Sequence, residues 1–170
     1  ETGGVTISTN TAPVNFTNAR SGEFDGSSKY IDVSNESNFD FDQDNQFTLA
    51  AWFNHPGGTG SETIIAKRQP SGVFPGYQLN YDITNQRLDF RMSGSSSGCG
   101  GTDCIKVQSD PVSLTKQKWH HVAVTYDGSI AAAGVRLYID GAESNPNVIN
   151  NGLESSILND TLVRIGDSPA

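Results

Sequence analysis

Carboxylates, histidines and one cysteine pair are the residues of this 170-residue chain with the chemistry to act on a substrate or bind a metal. The densest acids lie in Phe39-Asp40-Phe41-Asp42-Gln43-Asp44, where carboxylates alternate. A retaining glycoside hydrolase needs two carboxyl groups about 5 Å apart, one as nucleophile and one as acid and base. Residues i and i+2 of a strand share a face, so acid-x-acid spacing would bring such a pair together. The six glutamates (Glu1, Glu23, Glu36, Glu62, Glu143 and Glu154) supply no such pair. The alternating aspartates sit in a polar stretch, 37–45, that reads as a loop edge or a short turn of helix. His55, His120 and His121 lack the spacing of a metalloprotease helix, and no Gly-x-Ser-x-Gly elbow occurs. Catalysis is therefore the reading these residues support least.

Cys99 and Cys104 enclose Gly100-Gly101-Thr102-Asp103. Four flexible residues make ring closure easy, and a disulfide implies an oxidising compartment. The alternative, a two-ligand metal site, has no neighbouring His or further Cys to complete it. Three glycosylation sequons begin at Asn15, Asn35 and Asn159. In a chain this rich in Asn and Thr they do not establish a source.

Sugar recognition asks for aromatic faces and for planar polar side chains that meet hydroxyls. Gln78, Asn80, Asp89, Arg91, Arg136 and Tyr138 alternate with apolar residues and are expected to point away from the core. If their strands share one sheet, they form a single polar face. Phe74, between Val73 and Pro75 in a Gly/Pro-rich loop opened by Arg68, is the best candidate for an exposed aromatic. His55 and Tyr81 are weaker ones. The candidate ligand set is Arg68, Phe74, Gln78, Asn80, Asp89, Arg91, Arg136 and Tyr138.

Strands must position these side chains. Tyr77, Leu79 and Tyr81 oppose Gln78, Asn80 and Asp82; Leu88, Phe90 and Met92 oppose Asp89 and Arg91; Val135, Leu137 and Ile139 oppose Arg136 and Tyr138. Val122, Val124 and Tyr126 oppose His121, Ala123 and Thr125. A period of two with one apolar face marks antiparallel strands. Phe47 to Phe53 is apolar on both faces and reads as a central strand covered on both sides. Asp25-Gly26, Asp127-Gly128 and Asp140-Gly141 provide turns that tolerate positive φ. No useful helical period, internal repeat or linker appears. The net charge of −8 and 18% charged residues argue against nucleic acid and anionic lipid, and no apolar run is long enough for a membrane helix. Composition and pattern predict one all-β antiparallel β-sandwich.

The order of segments also carries a resemblance. Glu23-Phe24-Asp25-Gly26, followed by Lys29 to Val33, resembles the opening of a laminin-G-like domain. Phe47-Thr48-Leu49-Ala50-Ala51-Trp52 resembles that family's F-T-x-x-x-W strand. Ile64-Ile65-Ala66-Lys67 and Gly76-Tyr77-Gln78-Leu79 are similar to its next two strands. Trp119 to Gly128 matches W-x-H-V-A-x-x-Y-D-G, Leu137 to Gly141 matches L-Y-x-D-G, and Leu162 to Gly166 matches L-x-I-G. The resemblance runs from about Glu23 to Gly166 and implies a concanavalin A-like jelly roll, as in pentraxins and many lectins.

The resemblance implies more. Trp52, Trp119, His120 and His121 fall at structural positions, which puts both tryptophans in the core. Related domains often bind Ca²⁺ through Asp and Asn oxygens, making Asp25 and Asp167 candidate ligands. The loop expected to supply partner ligands, Arg68 to Phe74, contains no acid, and Arg68 would repel a cation. The family also adds a closing strand after the I-G segment, whereas this sequence ends at Ala170. Residues 1–3 are read as the remnant of a secretion leader, and 4–170 as a laminin-G-like domain without that strand. A neighbouring domain or a partner chain could donate it. The implied function is a non-catalytic, secreted or cell-surface binding module. Its expected partner is a glycan, with an extracellular protein second. The competing readings are a structural or adhesion module and, last, a glycoside-active enzyme.

Overall fold

The computed structural model describes residues 4–94 and 98–167. Residues 1–3, the segment expected to be a leader remnant, and residues 168–170 lie outside the described residues. Thirteen strands follow in order: β1 (Thr6–Ser8), β2 (Ser21–Glu23), β3 (Ile31–Val33), β4 (Phe47–Asn54), β5 (Ser61–Arg68), β6 (Gly76–Asp82), β7 (Arg87–Ser93), β8 (Cys104–Gln108), β9 (Trp119–Tyr126), β10 (Val135–Ile139), β11 (Ala142–Ser144), β12 (Asn147–Asn151) and β13 (Val163–Ile165). They form a four-stranded sheet, β11-β10-β9-β4, and a seven-stranded sheet, β12-β8-β7-β6-β5-β13-β3, with β1 and β2 paired apart. Every pairing is antiparallel. The all-β antiparallel sandwich expected from the alternation is the architecture found.

The inward faces meet in one core. Leu49, Val122, Val124 and Leu137 of the smaller sheet face the cluster that includes Leu79, Phe90, Met92 and Val107 of the larger. Each such side chain contributes about 1.5–3 kcal/mol by leaving water. Phe41 stacks on Phe47 at 4.8 Å, and Phe47 also meets Tyr77, Phe90 and Tyr126. The buried tyrosines each tie a loop to the core, because a buried hydroxyl needs a partner. Tyr77 donates to the Phe39 carbonyl, Tyr81 to that of Val112, and Tyr126 to that of Gln43.

Two expectations require correction. The run Phe47 to Phe53 reads as a strand covered on both sides, yet β4 is an edge strand of its sheet. Phe47 and Leu49 face the core, while Thr48, Ala50 and Trp52 face outward and are exposed. Trp52 is thus 39% exposed rather than buried, and Trp119 is only half-buried. A short 3₁₀ turn at Glu36–Phe39 overlaps the start of the stretch 37–45. Its alternating acids fasten loops: Asp42 Oδ1 accepts from the Ile157 amide at 3.0 Å, and Asp42 Oδ2 from the Ser156 hydroxyl at 3.0 Å.

Asp40 serves a buried charge. Lys67 is 1% exposed, with its ammonium in an all-oxygen cage. Glu36 Oε2 lies at 2.7 Å, the carbonyls of Asn159 and Thr161 at 2.7 and 2.9 Å, and Asp40 Oδ1 at 2.9 Å as an ion pair without hydrogen-bond geometry. One lysine thereby joins the end of β5, the 3₁₀ turn and the 159–161 segment.

Cys99 and Cys104 are disulfide-bonded. Inside that small ring, buried Asp103 accepts the amides of Glu154 and Ser155 at 2.7 and 3.0 Å. Chain entropy gives so small a ring about 2 kcal/mol. Reduction is therefore expected to lower the melting midpoint by roughly 4–8 °C and leave the protein folded, as a melt with and without reductant would show.

Candidate functional site

The outward face of the seven-stranded sheet gathers most of the candidate ligand residues. Alternation places Gln78 and Asn80 on the outside of β6, Asp89 and Arg91 on β7, and Lys106 and Gln108 on β8. The register aligns them in two rows, Gln78–Arg91–Lys106 and Asn80–Asp89–Gln108. Gln78 Nε2 donates to Thr63 Oγ1, while Gln78 Oε1 accepts from both Arg91 Nε and Nη2 at 3.0 and 2.6 Å. Asp89 Oδ2 accepts from Gln108 Nε2 at 2.8 Å and is paired with Lys106 Nζ at 3.2 Å.

This face is polar but not simply wet. Gln78, Asn80 and Asp89 are only 2–6% exposed, and longer, half-buried side chains reach across to Gln78 and Asp89. In mid-face, Asn80 Oδ1 has no hydrogen-bond partner among the described residues. Buried polar atoms are usually satisfied, so this floor is fixed in shape with one acceptor unspent.

An irregularity brings Arg68 and Phe74 to the same face. A register shift between Thr63 and Ile65 sets Ile65 opposite Leu79, Ala66 opposite Gln78 and Arg68 opposite Gly76. Gly76 has φ +130°, and a Cβ there would collide with the Lys67 carbonyl. The chain then bends back so that the Arg68 guanidinium lies 4.7 Å from the Phe74 ring centroid. Phe74 has φ +52°, a left-handed conformation costly for a bulky residue. It is held there by the Ser93 hydroxyl on its carbonyl at 2.7 Å and by the Gln69 amide on the Pro75 carbonyl at 3.0 Å. Such strain persists where surroundings over-determine it, and it clusters at binding sites. Beyond Arg68, the 69–71 loop and the 158–161 segment enclose an open cleft of about 540 Å³, walled by Gln69, Ser71, Leu158 and Asp160.

Arg136 and Tyr138 do not join this face. Alternation predicts which side of a strand a residue takes, but not which sheet the strand enters, and β10 belongs to the four-stranded sheet. There Arg136 Nη1 donates to Glu143 Oε1 at 2.6 Å. The outward face of that sheet carries a second surface. Trp52 lies opposite His121, with rings edge-to-face at 5.4 Å, and Ala50 and Tyr138 both pair with Ala123. Trp119 Nε1 donates to Asn10 Oδ1 at 3.0 Å. The alternation Thr48, Ala50, Trp52 is the sequence signal for this exposure.

The other candidates are committed. His120 Nδ1 lies 2.7 Å from Asp140 Oδ2, and the Thr115 amide donates to Nε2 at 3.1 Å. Asp140 Oδ1 accepts the His121 amide at 2.8 Å. Burial pushes the Asp140 carboxyl up, but the hydrogen bonds from His120 and His121 and their charges outweigh it and hold it below its ordinary value. Both imidazole nitrogens are engaged, so His120 fastens the β10–β11 hairpin to β9. His55 and Tyr81 are core residues: His55 is 3% exposed, its ring 5.2 Å from that of Tyr81, with Nε2 donating to the Leu114 carbonyl.

Asp25 Oδ1 accepts the amides of Ser27, Ser28 and Lys29, and its Oδ2 the Ser28 hydroxyl. The amide and hydroxyl of Ser28, then the amides of Ser27 and Lys29, hold its pKa far below the usual carboxylate range. A folded-state pKa below the unfolded one adds stability above about pH 4 that is lost as pH falls. Asp25→Asn is therefore expected to melt below wild type at pH 7 and to converge with it progressively below about pH 4; a gap constant with pH would contradict this. Asp167 lies 4.0 Å from Arg164 Nη1. Among the described residues, no group of three or more His, Cys, Asp or Glu side chains is placed to hold a metal ion. No helix there is long and apolar enough to cross a membrane.

The family model Laminin_G_3, described as concanavalin A-like lectin/glucanases superfamily, matches residues 25–170. No curated protein sequence matches the chain. Among solved structures, the chain is similar to the conserved carbohydrate esterase vb_24B_21 of the Shiga toxin-encoding bacteriophage phi24B, with a TM-score of 0.48 and 12% identity, covering 96% of this chain and 79% of that one.

Proposed function

Because the chain belongs to the concanavalin A-like lectin/glucanases superfamily, we propose that it is a non-catalytic module of a secreted or surface protein that binds carbohydrate on the outward face of its seven-stranded sheet. The observation that carries this is the convergence of Arg68, Phe74, Gln78, Asn80, Asp89 and Arg91 on one face, with Phe74 locked in a left-handed backbone. An amphipathic ring beside fixed amides and guanidiniums suits a sugar, which presents apolar C–H faces and in-plane hydroxyls. The non-catalytic reading is supported by the engagement of His120 and by the loop-fastening work of Asp40 and Asp42. The disulfide supports an oxidising, extracellular setting.

Calcium belongs to the proposal as an accessory, with Asp25 and Asp167 as its candidate ligands. The ion would have to share Asp25 with the Ser28 turn and Asp167 with Arg164. A glycan array probed with calcium and with chelator tests both parts. Binding to a defined glycan class supports the module, and loss in chelator supports the metal. Silence in both conditions contradicts the glycan reading.

A second reading rests on Trp52. An exposed tryptophan on an edge strand, beside His121 and Tyr138, suits a protein partner on the four-stranded sheet. Binding of a partner abolished by Trp52→Ala but unaffected by changes at Phe74 would favour this adhesion role.

A further inference from the structure

The seven-stranded face carries more positive charge than an acidic chain would lead one to expect. The row Arg164–Ala66–Gln78–Arg91–Lys106 crosses five strands, and Arg68 stands beside it on β5. Two of these cations are neutralised. Arg164 Nε lies 2.9 Å from Asp32 Oδ1, and Lys106 Nζ lies 3.2 Å from Asp89 Oδ2. Arg68 and Arg91 are different: neither forms an ion pair with a carboxylate among the described residues.

Their geometry is set from below. Gln78 Oε1 takes Nε and Nη2 of Arg91, a neutral acceptor that fixes the guanidinium without cancelling its charge. Arg68 lies over the Phe74 ring, and its buried Nε–H has no partner among the described residues. Burial, and then the nearby charge of Arg91, pull the Arg68 pKa down to about 10, so it remains cationic at neutral pH. Two fixed, adjacent and uncompensated guanidiniums repel each other until an anion lies between them. The guanidinium fork matches an oxyanion by paired N–H donors.

We infer that Arg68 and Arg91 form an oxyanion subsite, and that the glycan taken by this face carries an acidic group there, a uronate carboxylate or a sulfate ester. The sugar bearing it packs on Phe74. This inference rests on the glycan reading of the same face and adds the class of sugar.

The test uses matched oligosaccharide pairs. One arm compares oligogalacturonate with its methyl ester, which keeps the shape and removes the charge. The other compares a sulfated carrageenan oligosaccharide with its desulfated form. Calorimetry should give at least about tenfold tighter binding to the charged member of one pair, since a hydrogen bond to a charged group supplies that much. The arm that responds identifies the oxyanion. Arg68→Gln and Arg91→Gln should each erase most of the preference while remaining folded, with Arg91→Gln melting somewhat lower because the buried Gln78 Oε1 loses both of its donors. Arg68→Lys should keep only part of it, because an ammonium lacks the fork. Lys118→Gln, at an exposed position elsewhere, should change nothing. Equal binding of charged and neutral members would overturn the acidic-sugar inference and leave the glycan reading standing. A preference that survives both arginine substitutions would overturn the subsite. Binding to no member of either pair, with binding to other neutral glycans on an array, would overturn the inference alone; silence on every glycan would remove both.

Discussion

Phe74→Gly is expected to weaken glycan binding by about thirtyfold, the loss of roughly 2 kcal/mol typical of an aromatic anchor, while leaving the melting midpoint unchanged or raised. The two effects separate because Phe74 does two opposed things. Its ring, half-buried rather than exposed as expected and with Arg68 over it, offers the apolar platform. Its backbone, at φ +52°, holds a conformation that costs a bulky residue about 1–3 kcal/mol and costs glycine almost nothing. Glycine removes the platform and relieves the strain together. Alanine removes the platform and keeps much of the strain, so Phe74→Ala should lose binding equally and melt below Phe74→Gly. Calorimetry and thermal melts on the three proteins check this. A glycine variant that binds like wild type would exclude Phe74 from the site.

Lys67→Met should be the most destabilising single change outside the apolar core. The ammonium is 1% exposed and holds Glu36, Asp40 and the carbonyls of Asn159 and Thr161 together. Methionine fills a similar volume but leaves two carboxylates facing each other and two carbonyls unpaired. Breaking a buried ion pair from one side costs about 3–5 kcal/mol, which lowers the midpoint by roughly 6–20 °C for a chain of this size. Much of that cost is repulsion between the stranded acids, so adding Glu36→Gln to Lys67→Met should recover part of it. Because the 159–161 segment walls the cleft beside Arg68, binding should weaken too. A fall of less than about 1 kcal/mol would show that water reaches the cage and replaces the ammonium.

The strands and their faces were legible in the sequence wherever large apolar and polar residues alternate without exception. β6, β7 and β10 are of this kind, and every residue assigned to their inward faces lies in the core. What alternation leaves open is which sheet a strand joins, since pairing is decided by long-range packing. Alternation therefore groups Arg136 and Tyr138 with Gln78 and Arg91, although they lie on the other sheet. Trp52 departs from the expected core position for a related reason. A large aromatic in an apolar run reads as core, and its family position reinforced that, yet its parity with Thr48 and Ala50 places it outside. The burial of Gln78 and Asp89 had no signal in one sequence, because it comes from Arg91, Lys106 and Gln108 reaching across from adjacent strands. Lys67 enters the sequence reading only as the last residue of the Ile64-Ile65-Ala66-Lys67 segment. Its oxygen cage is assembled from segments more than 90 residues apart, a distance no local pattern spans.

An amide-shift titration of the ¹⁵N-labelled protein with its best-bound oligosaccharide tests the central claim most directly. The account predicts saturable shifts confined to Arg68, Phe74, Gln78, Asn80, Asp89, Arg91 and their neighbours, with Trp52, His121 and Tyr138 unmoved. Shifts centred on β4 and β9 around Trp52, or none with any glycan, would contradict it.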